Sequence, residues 1–284
     1  MEIKKICTFG GGVMGRQIAL CAAIHGYDAT VYDIRPACCE DVKSWMEEYM
    51  AGRIRKGRMT EEAVAAAKAR FHVTNDPKEA LAEADLVVEC VSEVEEVKRT
   101  AFKTIAELAK PDVLIGTNSS YMVSSRFTDC VKDPSRLGNM HFYNPALVMK
   151  FVEVVKGPHT SEESAQALYD FCVSLDKMPI LMRKELPGFA ANYIIAGIYE
   201  RAKFLVDEGY CTYEEVDKAC EFGLNHPMGP FRLNDLTGID LSFDMMKATY
   251  EKTGVKPACY DLYEQMVKEG RLGRKTGHGF YDYE

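Results

Sequence analysis

Short apolar runs alternate with stretches of helical spacing through the first two thirds of the chain. Ile3–Phe9 reads as a strand, and Met14–His25 as a helix with apolar residues at helical intervals. Ala29–Tyr32 reads as a second strand. Pro36 stands where a first helical turn tolerates proline, and the helix it opens runs to about Tyr49. Thr60 caps another helix. Asp85–Val91 has the look of a buried strand, and Val94–Leu108 that of a helix charged on one side. Val113–Thr117, Leu137–His141 and Phe151–Val155 complete the strands. This alternation predicts an α/β fold, a doubly wound parallel sheet covered on both faces.

The strand signal ends after Lys184-Glu-Leu-Pro-Gly188. Beyond that point the chain reads as helical: Asn192–Asp207, Tyr213–Phe222, about Arg232–Tyr250 and Ala258–Lys268. Pro187 and Gly188 punctuate the join. The expected division is residues 1–184, a nucleotide-type α/β domain, and residues 185–284, an all-α domain.

The first strand-to-helix turn carries a ligand signal. Gly10-Gly11-Gly12-Val13-Met14-Gly15 fits G-x-G-x-x-G, and Asp33 ends the second strand. Gly10 permits a tight turn, Gly12 lets backbone approach a pyrophosphate, and Gly15 lets the helix pack close to the strand. The helix start, at Val13 and Met14, offers N–H groups to phosphate. Asp33 would accept hydrogen bonds from ribose hydroxyls and repel a 2′-phosphate, which favours NAD over NADP. Arg35, two residues on, could pair with such a phosphate. The alternative is an ordinary turn beside a surface aspartate; the full strand–turn–helix–strand–acid context favours the dinucleotide.

Composition narrows the class. Lys plus Arg number 35 and Asp plus Glu 43 in 284 residues, a net charge of −8 that argues against a nucleic-acid or anionic-membrane partner. The longest run without a charged residue, Leu186–Tyr199, has 14 residues, short of the roughly 20 needed to span a bilayer. No leader is expected, because the apolar run after Lys5 breaks at once into glycine. None of the ten cysteines forms a C-x-x-C pair, so no metal site is expected, and they read as reduced core thiols of a cytoplasmic protein.

Four polar residues are candidates for chemistry. His141 lies in Asn139-Met-His-Phe-Tyr-Asn-Pro145, and Glu153 lies twelve residues on, inside an apolar strand. A carboxylate there needs a partner, and a His–Glu pair is a recurring device for moving protons. Spacing alone leaves open a satisfied core histidine and a glutamate at an exposed edge. Asn118-Ser119-Ser120 follows a strand at the carboxyl edge of the sheet, where ligands of such folds gather. Ser120 either meets a substrate oxygen or caps the segment after Tyr121. Asn192 opens the first helix of the second domain, where it either reaches a ligand or decorates the helix.

The glycine turn with Asp33, Val87-Val-Glu-Cys-Val-Ser-Glu93 with Lys98, and Thr117-Asn-Ser-Ser120 recur in order with four further runs. These are His141-Phe-Tyr-Asn-Pro145 with Lys150–Val155, Pro187-Gly-Phe-Ala-Ala-Asn192, Leu224-Asn-His-Pro-Met-Gly-Pro-Phe231 and Leu272–Tyr281. Over essentially its whole length the sequence resembles the L-3-hydroxyacyl-CoA dehydrogenase family, in particular its short bacterial 3-hydroxybutyryl-CoA members. The resemblance implies a Rossmann domain followed by a helical domain that forms a homodimer. It implies an NAD-dependent oxidation of a (3S)-3-hydroxyacyl-CoA to a 3-ketoacyl-CoA, with His141 as general acid/base and Glu153 as its orienting partner. Ser120 and Asn192 resemble residues that bind the substrate oxygen. Glu93, Lys98, Asn118, Asn144 and Lys275 resemble cofactor contacts.

Some positions depart from the family pattern. Tyr121 replaces a small residue, Tyr193 replaces an arginine, and Glu153 to Asn192 is about one residue longer than usual, which puts Asn192 in doubt. One segment adds to the picture. Arg53-Ile-Arg-Lys-Gly-Arg58, taken as the loop after the long second helix, holds four basic residues and no acid. Arg55 and Lys56 are candidates to meet the phosphates of CoA; a solvated basic loop is the alternative. Two other functions compete: oxidation of a free small hydroxy acid of the gulonate or carnitine type, and non-catalytic NAD binding on the same fold.

Overall fold

Strand β1 (Lys5–Phe9) is followed, across three glycines, by helix α1 (Val13–Ile24) in a computed structural model that describes residues 2–284. Strand β2 (Asp28–Tyr32), helices α2 (Pro36–Arg55) and α3 (Glu61–Ala69), and strand β3 (Phe71–Thr74) come next. Helix α4 (Pro77–Leu81), β4 (Leu86–Glu89), α5 (Glu95–Leu108), β5 (Leu114–Thr117) and β6 (Leu137–Phe142) continue the chain. Strand β7 (Phe151–Val155), α6 (Glu162–Ser174) and β8 (Met178–Met182) complete one sheet of order β3-β2-β1-β4-β5-β6-β7-β8.

Each interior strand buries both its faces. Ile6, Leu86 and Val88 point into one layer with Ile18 of α1, Met50 of α2 and Leu168 of α6. Cys7, Phe9 and Val87 alternate into the other layer with Leu81 of α4 and with Phe102 and Ile105 of α5. Each fully buried Leu, Ile or Phe contributes roughly 1.5–3 kcal/mol. From β3 to β6 all pairings are parallel, and β1 pairs β2 on one side and β4 on the other. The connections from β1 and β4 therefore leave in opposite directions, which opens a crevice at their carboxyl ends.

The expected all-parallel sheet needs one correction. Strand β7 runs antiparallel to β6, with His141 opposite Glu153, and β8 is again parallel to β7. The segment between β6 and β7, residues 143–150, contains no helix, and a parallel return needs a crossover of about a dozen residues. A second correction concerns α2, which extends past Tyr49 to Arg55; Gly57, at φ +62°, ends it. A third concerns the span from Arg232 to Tyr250. Gly238, at φ +110°, breaks it into α9 (Pro230–Thr237) and α10 (Ile239–Thr253). The elements β3, α4, α6 and β8 have no counterpart in the pattern read from the sequence. Strand β8 is an edge with exposed Met178 and Ile180 and a proline that an edge tolerates.

The chain divides into a unit through Ala190 and a unit from Ala191 to Glu284. The second is helical: most of α7 (Phe189–Asp207), α8 (Tyr213–Lys218), a π-helical turn at Ala219–Gly223, α9, α10 and α11 (Tyr260–Lys268). Its core gathers Val216, Phe231, Ile239, Met246, Tyr263 and Phe280. Two buried carboxylates pin its tail. Asp235 accepts from the backbone N–H groups of Phe280 (2.8 Å) and Tyr281 (2.9 Å), and Asp217 from the Tyr281 hydroxyl (2.9 Å). No helix among the described residues is long and apolar enough to cross a membrane. All ten cysteines are unpaired.

Candidate active site

The crevice at the carboxyl ends of β1, β2, β4 and β5 is a cavity of about 960 Å³ within the first unit. Gly10, Gly12, Val13 and Met14 line it. Gly10 has φ +123°, and a side-chain carbon on it would stand 2.6 Å from the carbonyl oxygen of Cys90. A side-chain carbon on Gly15 would collide with the carbonyl oxygen of Gly10, whereas one on Gly12 would meet nothing within 4 Å. The turn is thus tight where the strand and helix touch and open where a ligand approaches. Gly12 caps α1 without a side chain, leaving the first-turn N–H groups facing the cavity.

Asp33 lies on the cavity wall at the end of β2. Its Oδ2 accepts from the Gly11 N–H (2.9 Å), and its Oδ1 from the Arg35 N–H (3.0 Å) and the Arg35 Nε (3.1 Å). Burial opposes the charge on Asp33. The Arg35 and Gly11 hydrogen bonds outweigh it and hold the carboxyl below its usual range. The residue is thereby kept as an anion on the cavity wall.

Glu93 and Lys98 also line the cavity. Lys98 is 1% exposed, and its Nζ lies 2.9 Å from Oε1 of the fully buried Glu89 and 3.1 Å from Glu93. Thr117 and the Val91 N–H complete the Glu89 carboxylate. Burial works against the Lys98 charge, and the two glutamates more than compensate, so its pKa is raised. Glu93 in turn accepts from the Ser119 hydroxyl. Ser119, not Ser120, also receives the Met122 N–H (2.8 Å). That bond closes a local turn; the short helix that follows, Ser124–Cys130, has no side-chain cap, so neither serine caps it. Ser120 lines the cavity, and its hydroxyl has no hydrogen-bond partner among the described residues.

Asn118 lines the same cavity, and its Oδ1 accepts from the N–H of Phe142, the residue after His141. His141 and Glu153 do not line it. They form a pair of their own: His141 Nδ1 is 2.9 Å from Glu153 Oε2, and both side chains are buried. Because the residues are directly opposite on β6 and β7, their side chains share one face of the sheet. Strand β8 covers the far side of β7, so Glu153 is interior and the exposed-edge alternative falls. With Nδ1 committed to Glu153, Nε2 is the ring nitrogen left to exchange a proton.

The remaining candidates are scattered. Asn144 is exposed, and its Oδ1 is 3.3 Å from Gln17 Nε2 on α1. Arg55 is the last residue of α2 and Lys56 its C-cap, both exposed. The basic segment is therefore the end of a helix rather than a loop. None of its four basic side chains forms an ion pair among the described residues. Asn192 and Lys275 belong to the second unit, where Lys275 pairs with Asp240 (2.6 Å).

Comparison with known proteins bears on the whole chain. Residues 5–186 match the family description "3-hydroxyacyl-CoA dehydrogenase, NAD binding domain", and residues 188–283 match "3-hydroxyacyl-CoA dehydrogenase, C-terminal domain". The chain belongs to the 3-hydroxyacyl-CoA dehydrogenase family. It is 34% identical to a probable 3-hydroxybutyryl-CoA dehydrogenase of Bacillus subtilis, over 100% of this chain and 99% of that one. It is 32% identical to the 3-hydroxybutyryl-CoA dehydrogenase of Clostridioides difficile, over 98% and 99%. The crystal structure of (S)-3-hydroxybutyryl-CoA dehydrogenase from Ralstonia eutropha superposes with a TM-score of 0.89 at 31% identity, covering 100% of both chains.

Within this family member several supporting residues were not marked by the sequence pattern. Glu89 carried a usable signal, a carboxylate between a buried valine and a half-buried cysteine that required a cation. Lys177, buried, donates to the carbonyls of Ala146 (2.6 Å) and Met149 (3.0 Å) and so braces the segment after His141. Phe189 packs on the His141 ring, centroids 5.4 Å apart, and nothing in the sequence marks that contact.

Proposed function

We propose that the protein interconverts a (3S)-3-hydroxyacyl-CoA and the 3-ketoacyl-CoA. The substrate pair proposed is 3-hydroxybutyryl-CoA and acetoacetyl-CoA, with NAD preferred to NADP. The observation that carries the proposal is the buried His141–Glu153 pair. The names of the full-length relatives support the four-carbon substrate.

A bound nicotinamide supplies or takes the hydride. The protein supplies the proton path. In reduction, imidazolium at His141 donates from Nε2 to the ketone oxygen while Glu153 steadies the charge through Nδ1–H. In oxidation, neutral imidazole takes the hydroxyl proton. Such positioned acid–base catalysis contributes roughly 10²–10⁴-fold. The hydroxyl of Ser120 and the amide of Asn192 are assigned to the substrate oxygen.

The turn from Gly10 to Gly15 is assigned to the pyrophosphate. Asp33 is assigned to the ribose hydroxyls, and its charge disfavours a 2′-phosphate. Glu93, Lys98, Asn118, Ser120, Asn144 and Lys275 complete the proposed cofactor contacts, and Arg55 and Lys56 take the CoA phosphates. Residues 1–184 hold the cofactor, and residues 185–284 carry substrate contacts and a homodimer surface. Exposed Ile194, Phe204 and Leu205 on α7 and Leu241 and Met245 on α10 support that surface. Ten unpaired thiols support a cytoplasmic setting.

The test is spectrophotometric turnover of acetoacetyl-CoA, with NADH and with NADPH. Faster turnover with NADH, and a kcat at least about 100-fold lower in His141→Ala at unchanged NADH affinity, are expected. NADH binding without turnover would leave a nucleotide-binding protein; near-parental kcat in the variant would remove His141 from the chemistry.

A further inference from the structure

Residues two apart in an extended chain face the same side. Tyr143 stands two past His141, and Phe151 two before Glu153 on the facing strand. The rings of Tyr143 and Phe151 accordingly meet, centroids 5.3 Å apart, and the Tyr143 ring also lies 4.6 Å from the His141 ring. The Tyr143 hydroxyl reaches back along the face and donates to Glu153 Oε2 at 3.0 Å. This is the oxygen that lies 2.9 Å from His141 Nδ1. One buried carboxylate oxygen therefore serves both the imidazole and the phenol.

We propose that Tyr143 is a positioning residue that sets the proton affinity of the His141–Glu153 pair. A second donor on the shared oxygen draws charge from it and weakens its hold on the imidazolium. Nε2–H then passes its proton to a ketone oxygen more readily, and neutral imidazole takes one back less avidly. The proposal rests on His141 being the proton carrier.

Tyr143 itself keeps its proton. Burial, followed by the charge and hydrogen bond of Glu153, raises its phenol far above the usual range. The titratable groups whose contacts with one another are described are His141 and Tyr143, from β6 and the residues after it, and Glu153 from β7. Strand β8 pairs the apolar Ile180 with Glu153, and the start of α7 brings Phe189 onto the imidazole. Glu153 is the one charge that bears on the phenol among the described residues.

The experiment compares pH profiles of kcat/KM for oxidation of 3-hydroxybutyryl-CoA in the parent, Tyr143→Phe and His141→Ala. Phenylalanine keeps the ring and removes only the donor. The acid limb of the Tyr143→Phe profile is expected to move up by roughly 0.5–1 pH unit, about threefold to tenfold in proton affinity. The KM for NAD should stay unchanged. The same upward displacement should appear, without turnover, in the nitrogen-15 NMR titration of the labelled His141 ring.

A Tyr143→Phe profile that superposes on the parent, moves down, or falls evenly at all pH values overturns the proposal. Parental activity in His141→Ala would instead overturn the proton-carrier assignment, while leaving the NMR comparison to judge Tyr143.

Discussion

The Cα of Gly15 faces the carbonyl oxygen of Gly10 so closely that no side-chain carbon fits between them. The atom met is backbone, so nothing flexible can yield. Gly15→Ala is expected to cost about 1–3 kcal/mol or more in urea unfolding. Gly12→Ala, whose added carbon meets nothing within 4 Å, should cost less, about 0.5–1 kcal/mol for the loss of a glycine N-cap. It should nevertheless weaken NADH binding about tenfold or more by calorimetry, because the methyl enters the ligand's space. Equal stability losses in the two variants would contradict this division of roles.

Lys98 and Glu89 are both buried from solvent, with the ammonium across both carboxylate oxygens. Removing one partner strands the other. Lys98→Met should lose about 3–5 kcal/mol in denaturant unfolding, and adding Glu89→Gln should recover part of that loss. A single variant of parental stability would mean that Glu89 finds another cation or water.

Asp33 yields a pH prediction. Its folded carboxyl titrates below the ordinary value of about 3.9 because the Arg35 and Gly11 hydrogen bonds outweigh burial. A depressed folded pKa contributes stability that is complete above the unfolded value and is lost as pH falls through the folded one. Asp33→Asn should therefore be less stable than the parent at pH 7, with the gap closing below about pH 4. A gap independent of pH in thermal unfolding from pH 7 to pH 3 would show that charge is not what the site stabilises.

The exposed Arg55 and Lys56 at the end of α2 lack carboxylate partners among the described residues. Replacing both by glutamine should raise the KM for acetoacetyl-CoA about threefold to tenfold at low salt and less at high salt. The KM for a truncated acetoacetyl thioester should not change. An equal rise for both thioesters would detach this helix end from the CoA phosphates.

The glycine turn and its acid were legible because each position answers a local demand: φ at Gly10, contact at Gly15, charge at Asp33. The helix starts at Thr60 and Pro36 were legible for the same reason. The reach of α2 to Arg55 was missed because Gly52 looks like a stop. It is tolerated inside the helix, and buried Met46 and Met50 give that helix a packed face. Strand β3, Phe71-His-Val-Thr74, lacks the fully apolar run of an interior strand, and β8, Met178–Met182, is apolar but carries Pro179, which reads against a strand. Ser119 and Ser120 are equivalent in sequence; which one bonds Glu93 and the turn and which one faces the cavity is set by chain direction after β5.

By itself the sequence determined a nucleotide-type α/β half, a helical half and the identities of the polar residues that could do chemistry. It could not say whether His141 and Glu153 meet. That depended on β7 turning back antiparallel beside β6 and on β8 covering its far side. Those two facts place the residues opposite one another and away from water. Strand pairing is a non-local event, decided by which apolar faces can be buried together. A contact across twelve residues of sequence therefore becomes visible only when the whole sheet is assembled.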